Sequence, residues 1–319
     1  MSTKTPMISD GIERSTRPLS PSAAPLKWAR ILLLCIQESR AAVQAIFLMR
    51  FLLAATAGTA STTFYLTLPP ALFGGAGVWL LAVLSVYLFN GVMDVDEDRA
   101  NGSTRPIGRG ALSPTDARRT AQVTAAAALA GGAWIGPAML TATGCMLLLG
   151  FLYSAPGIAL KTSTPGTMAT VIGSGALTYA AGIVCSGSPV PPSLIAFCTA
   201  MCLWMGLVGA VSKDFSDADG DARHGRRNWT VLWGYARTAA VVSLSAVAVG
   251  AGLLLSALVL SSPWLLVPGL VLLTGALALA TAALTGRSDD SRSRRRLPYR
   301  VFMVTQYAAH LAAFAQPIG

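Results

Sequence analysis

Long apolar runs, interrupted only by short polar, glycine or proline segments, leave this chain little choice of fold. They extend over about Ala41–Tyr65, Ala71–Val92, Thr120–Ile135, Ala138–Tyr153, Thr167–Cys185, Ser193–Val211, Thr238–Leu260, Trp264–Leu284 and Val301–Phe314. Only 12% of the 319 residues are charged, so the fold expected is all-α, a polytopic membrane protein with nine transmembrane helices. The third, fourth and ninth runs fall short of the roughly 17 residues that a bilayer asks of a helix. The count therefore needs an independent check.

Charge supplies one, because short cytoplasmic loops keep Lys and Arg while translocated loops lack them. Basic residues precede the first run (Lys4 to Arg40) and fill the loop between the second and third (Arg99 to Arg119). They follow the fourth (Lys161), surround the sixth-to-seventh loop (Lys213 to Arg237) and precede the ninth (Arg287 to Arg300). Of the 24 basic residues only Arg50, inside the first run, lies elsewhere. That alternation holds if Gly136-Pro137 splits one Ala-rich stretch into two helices. It places the N-terminus inside and the C-terminus outside an integral membrane protein. The net charge of +10 then points to anionic lipid rather than nucleic acid, since the charges are spread over membrane-proximal loops.

Residues 1–26, rich in Ser, Thr and Pro, read as a disordered cytoplasmic tail without the apolar core of a signal peptide, and 27–319 as the membrane domain. Trp28 to Gln37 reads either as an amphipathic surface helix or as an extension of the first span. Cys35, Cys145, Cys185, Cys198 and Cys202 lie in or beside apolar segments. Cys198 and Cys202 share a helix face, but no His or third Cys accompanies them, so they read as small buried hydrophobes.

The acidic residues are distributed differently. Of fourteen, eight form two clusters: Asp94, Asp96, Glu97 and Asp98, then Asp214, Asp217, Asp219 and Asp221. If the second span continues helically, Asn90, Asp94 and Asp98 stack along one face at spacings of four, while Asp96 and Glu97 point elsewhere. Asp214, Asp217 and Asp221 share a face in the same way. With four spans between them, both clusters emerge on the cytoplasmic side. Carboxylates stacked at helix C-terminal ends repel one another and oppose the helix dipole, so a cation is expected among them. Oxygen ligands without His or Cys suit a hard ion such as Mg2+, which completes its shell with water and phosphate oxygens. A calcium loop is excluded because Arg99 and Arg105 occupy the positions that require Gly and Glu, and no GxxxxGK[ST] phosphate loop occurs.

In these motifs the chain resembles the UbiA superfamily of intramembrane prenyltransferases, from about Arg40 onward. Its NDxxDxxxD signature with a downstream RP is similar to Asn90-Gly-Val-Met-Asp94-Val-Asp-Glu-Asp98 with Arg105-Pro106, although Gly91 stands where an Asp is usual. Its KDxxDxxGD signature is similar to Lys213-Asp214-Phe-Ser-Asp217-Ala-Asp-Gly-Asp221. YSxPPxxxK is similar to Tyr153-Ser-Ala-Pro-Gly-Ile-Ala-Leu-Lys161, and SRP weakly to Ser39-Arg40-Ala41.

The resemblance implies a nine-helix bundle around a laterally open chamber, with both acidic segments at its cytoplasmic mouth. It implies Mg2+ held by Asn90, Asp94, Asp98, Asp214, Asp217 and Asp221 against a prenyl diphosphate donor. The same five aspartates are then the catalytic set. Arg40, Arg105, Lys161 and Lys213 are candidates to clamp the departing diphosphate, and also read as ordinary inner-face anchors. Tyr153 is the aromatic placed nearest the allylic cation, while Phe64, Tyr65, Tyr87 and Trp204 receive no role.

Arg50 reads as a functional intramembrane charge or as a snorkelling side chain. His224 reads as a solvated loop residue, His310 as interfacial or packed. The expected partners are the donor, an aromatic acceptor of phenolic, quinone-precursor or specialised-metabolite type, and the bilayer. A terpene cyclase that ionises the same diphosphate without an acceptor is the alternative. A transporter fits less well, because its site belongs near the midplane and these carboxylates collect at one face. The Ala-, Gly- and Arg-rich composition hints at a high-GC genome and a bacterial cell membrane.

Overall fold

A computed structural model describes residues 23–56, 70–100, 102–187, 189–223 and 225–315. His224, Phe64 and Tyr65 lie outside these residues, as do residues 1–22 of the expected tail. Among the described residues all regular structure is helical, and the one extended pairing is an isolated parallel bridge between Ser163 and Arg227.

Helix α1 (Ala23–Glu38) leads into α2 (Ala41–Thr56) through a bend of 74°. The bend shows that the Trp28 region is not a straight continuation of the first span. Trp28, Leu32, Leu33 and Ile36 remain exposed on it, an apolar face suited to the headgroup boundary. Its other face seats Ile31 and Cys35 among Leu88, Val92, Ile107 and Leu112. Arg40 forms the corner in the left-handed region, with φ 60°.

The remaining helices are α3 (Pro70–Met93), which continues into the short α4 (Val95–Ala100), α5 (Pro114–Ile135), α6 (Pro137–Ser154) and α7 (Thr164–Ser186). Then come α8 (Pro192–Leu203), α9 (Ala210–Arg223), the short α10 (Trp229–Trp233), α11 (Tyr235–Val259), α12 (Pro263–Leu284), the short α13 (Arg292–Arg295) and α14 (Leu297–Phe314). Six helices among the described residues are long and apolar enough to cross a membrane, or seven if α1 and α2 count as one bent span.

The three runs that looked short are helices of 22 residues (α5), 18 (α6) and 18 (α14). The first turns of α5 are polar, α6 gains only Pro137 and Ser154 beyond its run, and α14 gains Leu297 to Arg300 before its own. Helix α5 starts at a Ser113 N-cap whose hydroxyl accepts the Asp116 amide, and carries Arg118 and Arg119 before its apolar part. Gly136, at φ 150° and ψ 169°, ends α5, and Pro137 opens α6.

Lipid tails are as apolar as leucine, so close packing rather than water exclusion must hold such helices together. Two apolar clusters follow the chain. One joins α2, α3, α6 and α7 around Phe51 and Trp79, and the other joins α8, α9, α11, α12 and α14 around Phe197, Trp204 and Phe302. The seam passes through Trp204–Gly209, a π-helical stretch between α8 and α9. A Cβ on Gly209 would lie 2.2 Å from the Phe302 ring, so the ring packs into a place only glycine leaves open.

Candidate active site

One large cavity, about 1380 Å³ with its open mouth included, lies between the two clusters. Its lining includes Asn90 and Asp94 from the end of α3, Tyr153 from α6, and Lys213 and Asp214 from α9. Arg40 and Lys161 complete the set of expected residues that reach it. Asp98, Asp217, Asp221 and Arg105 are not on its walls.

The first acidic segment keeps its helical spacing across the break between α3 and α4. The Asp94 amide donates to the Asn90 carbonyl at 3.0 Å and the Asp98 amide to the Asp94 carbonyl at 2.8 Å. Asn90 Nδ2 donates to Asp94 Oδ2 at 3.0 Å, and Lys161 pairs with the other Asp94 oxygen. Asp98 is drawn aside by Arg105, whose loop folds back beneath α4.

The second segment divides as well. Asp214 faces the cavity, Asp217 accepts from Arg292 at 3.0 Å, and Asp221 accepts from Asn228 Nδ2 at 2.7 Å. A π-helical stretch holds more residues per turn than an α-helix, and re-phases the side chains that follow it. It turns the three aspartates together, since all lie beyond it in α9; what separates them is their surroundings, the cavity for Asp214, Arg292 for Asp217 and Asn228 for Asp221.

Sequence reasoning missed three residues that join the two halves. Arg226 lines the cavity, bonds Glu97 Oε2 at 2.8 Å and lies 3.5 Å from Asp221 Oδ1. Glu97 therefore ties the first acidic segment to the second. Asn228, also on the cavity wall, caps α10 by accepting the Val231 amide while it donates to Asp221. That role, with the residue only 5% exposed, leaves no place for a glycan on its Asn-Trp-Thr sequon. The Arg226 loop is fixed to the Lys161 loop: the Arg227 amide donates to the Thr162 carbonyl, and the Trp229 amide to the Thr164 hydroxyl, both at 2.8 Å. Only the density of basic residues after Asp221 signalled this region in advance.

Electrostatics follow from these contacts. Burial opposes the charge on Arg226, but the attraction and hydrogen bond of Glu97, with Asp221 behind, hold its pKa above the ordinary guanidinium value. For Arg105 burial prevails, reinforced by the charge of Arg40, and its pKa falls below the ordinary value despite Glu38, Asp94 and Glu97. Both cations stay charged at any physiological pH.

The deep part of the cavity has another character. Phe47, Tyr87, Met146, Met205, Phe302 and Met303 line it, with Tyr299 nearer the mouth helix α13. Tyr87 thus lines the cavity although no role was expected, while Trp204 is fully buried against Phe302. Arg50 also lines this part, 1% exposed. Its Nη2 donates to Gln306 Oε1 at 2.8 Å, its guanidinium lies 5.6 Å from the Phe47 ring centre, and its Nε has no hydrogen-bond partner among the described residues. The side chain points into the chamber and does not snorkel to the mouth. His310 is packed, within 2.7 Å of the Tyr179 hydroxyl and 2.6 Å of the Gln306 carbonyl.

Asn90, Asp94, Asp214 and Asn228 offer only oxygen ligands to the mouth, which suits a hard divalent ion. Among the described residues no three Asp, Glu, His or Cys side chains converge to hold an ion by themselves. Mg2+ characteristically takes one or two carboxylates and completes its shell with phosphate oxygens and water, so one aspartate from each segment is a sufficient donor set.

Comparison with known proteins gives a single direction. The model of the UbiA prenyltransferase family matches residues 41–305. A solved UbiA homologue from Archaeoglobus fulgidus, bound to GPP and Mg2+, superposes with a TM-score of 0.65 at 18% identity, covering 88% of this chain and 98% of that one. The apo structure of a UbiA homologue from Aeropyrum pernix K1 gives 0.64 at 17% identity, covering 85% and 96%. A digeranylgeranylglyceryl phosphate synthase gives 0.63 at 13%, covering 89% and 98%. No curated protein matches the sequence.

Proposed function

The chain belongs to the UbiA prenyltransferase family, and from that premise we propose that it transfers an isoprenyl group, within the bilayer, from an allylic prenyl diphosphate to an aromatic acceptor. The Archaeoglobus homologue's GPP and Mg2+ support a Mg2+-dependent diphosphate site at the mouth. Asn90, Asp94 and Asp214 would hold the ion, with Asn228 beside them, and Asp98, Asp217 and Asp221 would keep the surrounding cations in place. Bound there, the ion neutralises charge developing on the leaving diphosphate. Arg40, Lys161, Lys213 and Arg226 surround the same space and are placed to bind its oxygens, with Arg105 behind Asp98.

The allylic carbon left behind faces Tyr87, Tyr153, Tyr299 and Phe302. These rings exclude water and offer π-faces to a cation.

Arg50 carries the choice between transferase and cyclase. A cyclase guides a carbocation through its chamber, where a fixed, unneutralised guanidinium raises the energy of every intermediate. A transferase uses the same charge to hold an acidic or oxyanionic group of the acceptor, and the free Nε provides the donor. Ten residues beyond Arg40, Arg50 lies about 15 Å farther along α2, a distance that separates acceptor anchor from diphosphate mouth.

We also propose nine spans, formed by α2, α3, α5, α6, α7, α8 through α9, α11, α12 and α14, with the N-terminus and mouth on the cytoplasmic side of a bacterial cell membrane. The distribution of basic residues supports this.

The test is diphosphate release by purified protein with Mg2+ and ten-, fifteen- and twenty-carbon prenyl diphosphates, with and without pooled aromatic acids and phenols, products being identified by mass spectrometry. Acceptor-dependent release that yields a prenylated aromatic is the expected result. Acceptor-independent release with a cyclic terpene would replace this reading by the cyclase, and no release would refute both.

A further inference from the structure

Glu38, the last residue of α1, is a fully buried carboxylate outside the cavity, 0% exposed. Its Oε2 accepts the Ile107 amide at 2.9 Å, and its Oε1 lies 3.4 Å from Arg105 Nη1 without any hydrogen-bond donor. Gly91 lies directly against it. A Cβ built at position 91 would come within 2.6 Å of Oε1 and 3.2 Å of the carboxyl carbon. The carboxylate of Glu38 therefore occupies the volume that a side chain at 91 would fill.

Position 91 is where the first acidic signature departs from its pattern, with Gly for the usual Asp. We propose that Glu38 supplies from α1 the carboxylate that α3 lacks at Gly91, and acts as the positioning residue for Arg105. The inference rests on the proposed diphosphate site, and concerns how this chain completes it.

The physical case is one of charge. A carboxylate removed from water at this depth persists only if it is paired, and Arg105 is its one cationic neighbour within 4 Å among the described residues. Arg105 Nη2 reaches Asp98, while its Nε and Nη1 are buried without hydrogen bonds. The guanidinium is thus suspended between an inner carboxylate on α1 and an outer one on α4, with donor capacity unspent. Removal of Glu38 leaves Arg105 to collapse onto Asp98 and releases the Ile107 amide that holds its loop. Because Glu38 belongs to α1, the pairing also couples the seating of that helix to the shape of the mouth.

The test uses the full chain in detergent or nanodiscs as Glu38→Gln, Glu38→Ala, Gly91→Asp and the double variant Glu38→Ala/Gly91→Asp. Binding of inorganic pyrophosphate with Mg2+ is read by calorimetry, amide exchange around Ile107 by mass spectrometry, and donor KM apart from kcat. Glu38→Gln keeps an acceptor for Ile107 but loses the charge. It should retain protection while pyrophosphate affinity and donor KM worsen about tenfold, as for loss of one charge-assisted contact, with kcat little changed.

Gly91→Asp should be damaging beside Glu38, yet restore binding to within about threefold of wild type in the Glu38→Ala background. Unchanged pyrophosphate affinity in Glu38→Gln, or equal damage from Gly91→Asp in both backgrounds, overturns the assignment. So does a wild-type protein that binds no pyrophosphate. Glu38-dependent pyrophosphate binding in a protein that transfers no prenyl group would instead refute the proposed reaction and leave the role of Glu38 standing.

Discussion

Replacing Arg226 by Ala should separate the two acidic segments. The side chain is 11% exposed and joins Glu97, 20% exposed, to Asp221, 4% exposed. Its loss removes a charge-assisted hydrogen bond worth roughly 1.5–3 kcal/mol. It also strands Asp221, which Asn228 alone then satisfies. Removal of one partner from a buried pair costs about 3–5 kcal/mol, and the partial exposure of Glu97 argues for the low end. A loss of about 3 kcal/mol corresponds to a fall in Tm of about 4–5 °C for a chain of this size.

Thermal unfolding of the detergent-solubilised protein, followed by tryptophan fluorescence, reads this directly. Combining Arg226→Ala with Glu97→Gln tests the pairing itself, because removing both charges should cost less than the two single changes added. An Arg226→Ala variant as stable as the wild type, or strict additivity in the cycle, would refute the account of the mouth as cross-linked by this residue.

Other outcomes follow from the same geometry. Asp94→Asn should lower diphosphate release at least about a hundredfold, since it weakens electrostatic stabilisation of the leaving group. Asp219→Asn, at a side chain 71% exposed and paired only with Arg295, should leave release unchanged. Arg50→Leu should raise acceptor KM about tenfold with donor KM unmoved, by loss of one charged contact; equal effects on both substrates in steady-state assays would contradict the anchor. Gly209→Ala should cost about 1–3 kcal/mol through its clash with Phe302, measured as lowered Tm. Chelation of divalent ions should abolish release, and added Mg2+ should restore it.

Apolar runs made the membrane architecture legible, and spacing put Asn90 and Asp94 on one face, while their meeting with Asp214 at one cavity came from the family resemblance. What spacing could not reach depended on partners distant in sequence. Glu97 read as pointing away from the site because its partner, Arg226, lies 129 residues on. Asp98 seemed to stack with Asp94 until the returning loop drew it to Arg105. Asp217 and Asp221 keep their helical spacing from Asp214, but Arg292 and Asn228, which bind them, come from segments that spacing does not address. Tyr299, Phe302 and Met303 were hidden differently, because nothing in the run of the ninth span tells which of its residues face the chamber.

The ion pairs at the mouth carry a thermodynamic consequence. Asp94 is matched by Lys161, Asp98 by Arg105 and Asp221 by Arg226, so the mouth operates as an ion exchanger whose counter-ions are tethered to the chain. A divalent ion arriving alone takes a carboxylate and leaves an ammonium or guanidinium stranded, and a lone diphosphate does the reverse. Arriving together they swap partners with both, and far less charge is left uncompensated than when either arrives alone. Calorimetry should accordingly find Mg2+ and pyrophosphate each weak alone and mutually reinforcing by about 1–3 kcal/mol, whereas independent binding would sink this idea. What the mouth then selects is the ion and the diphosphate as a pair, taken up in one exchange.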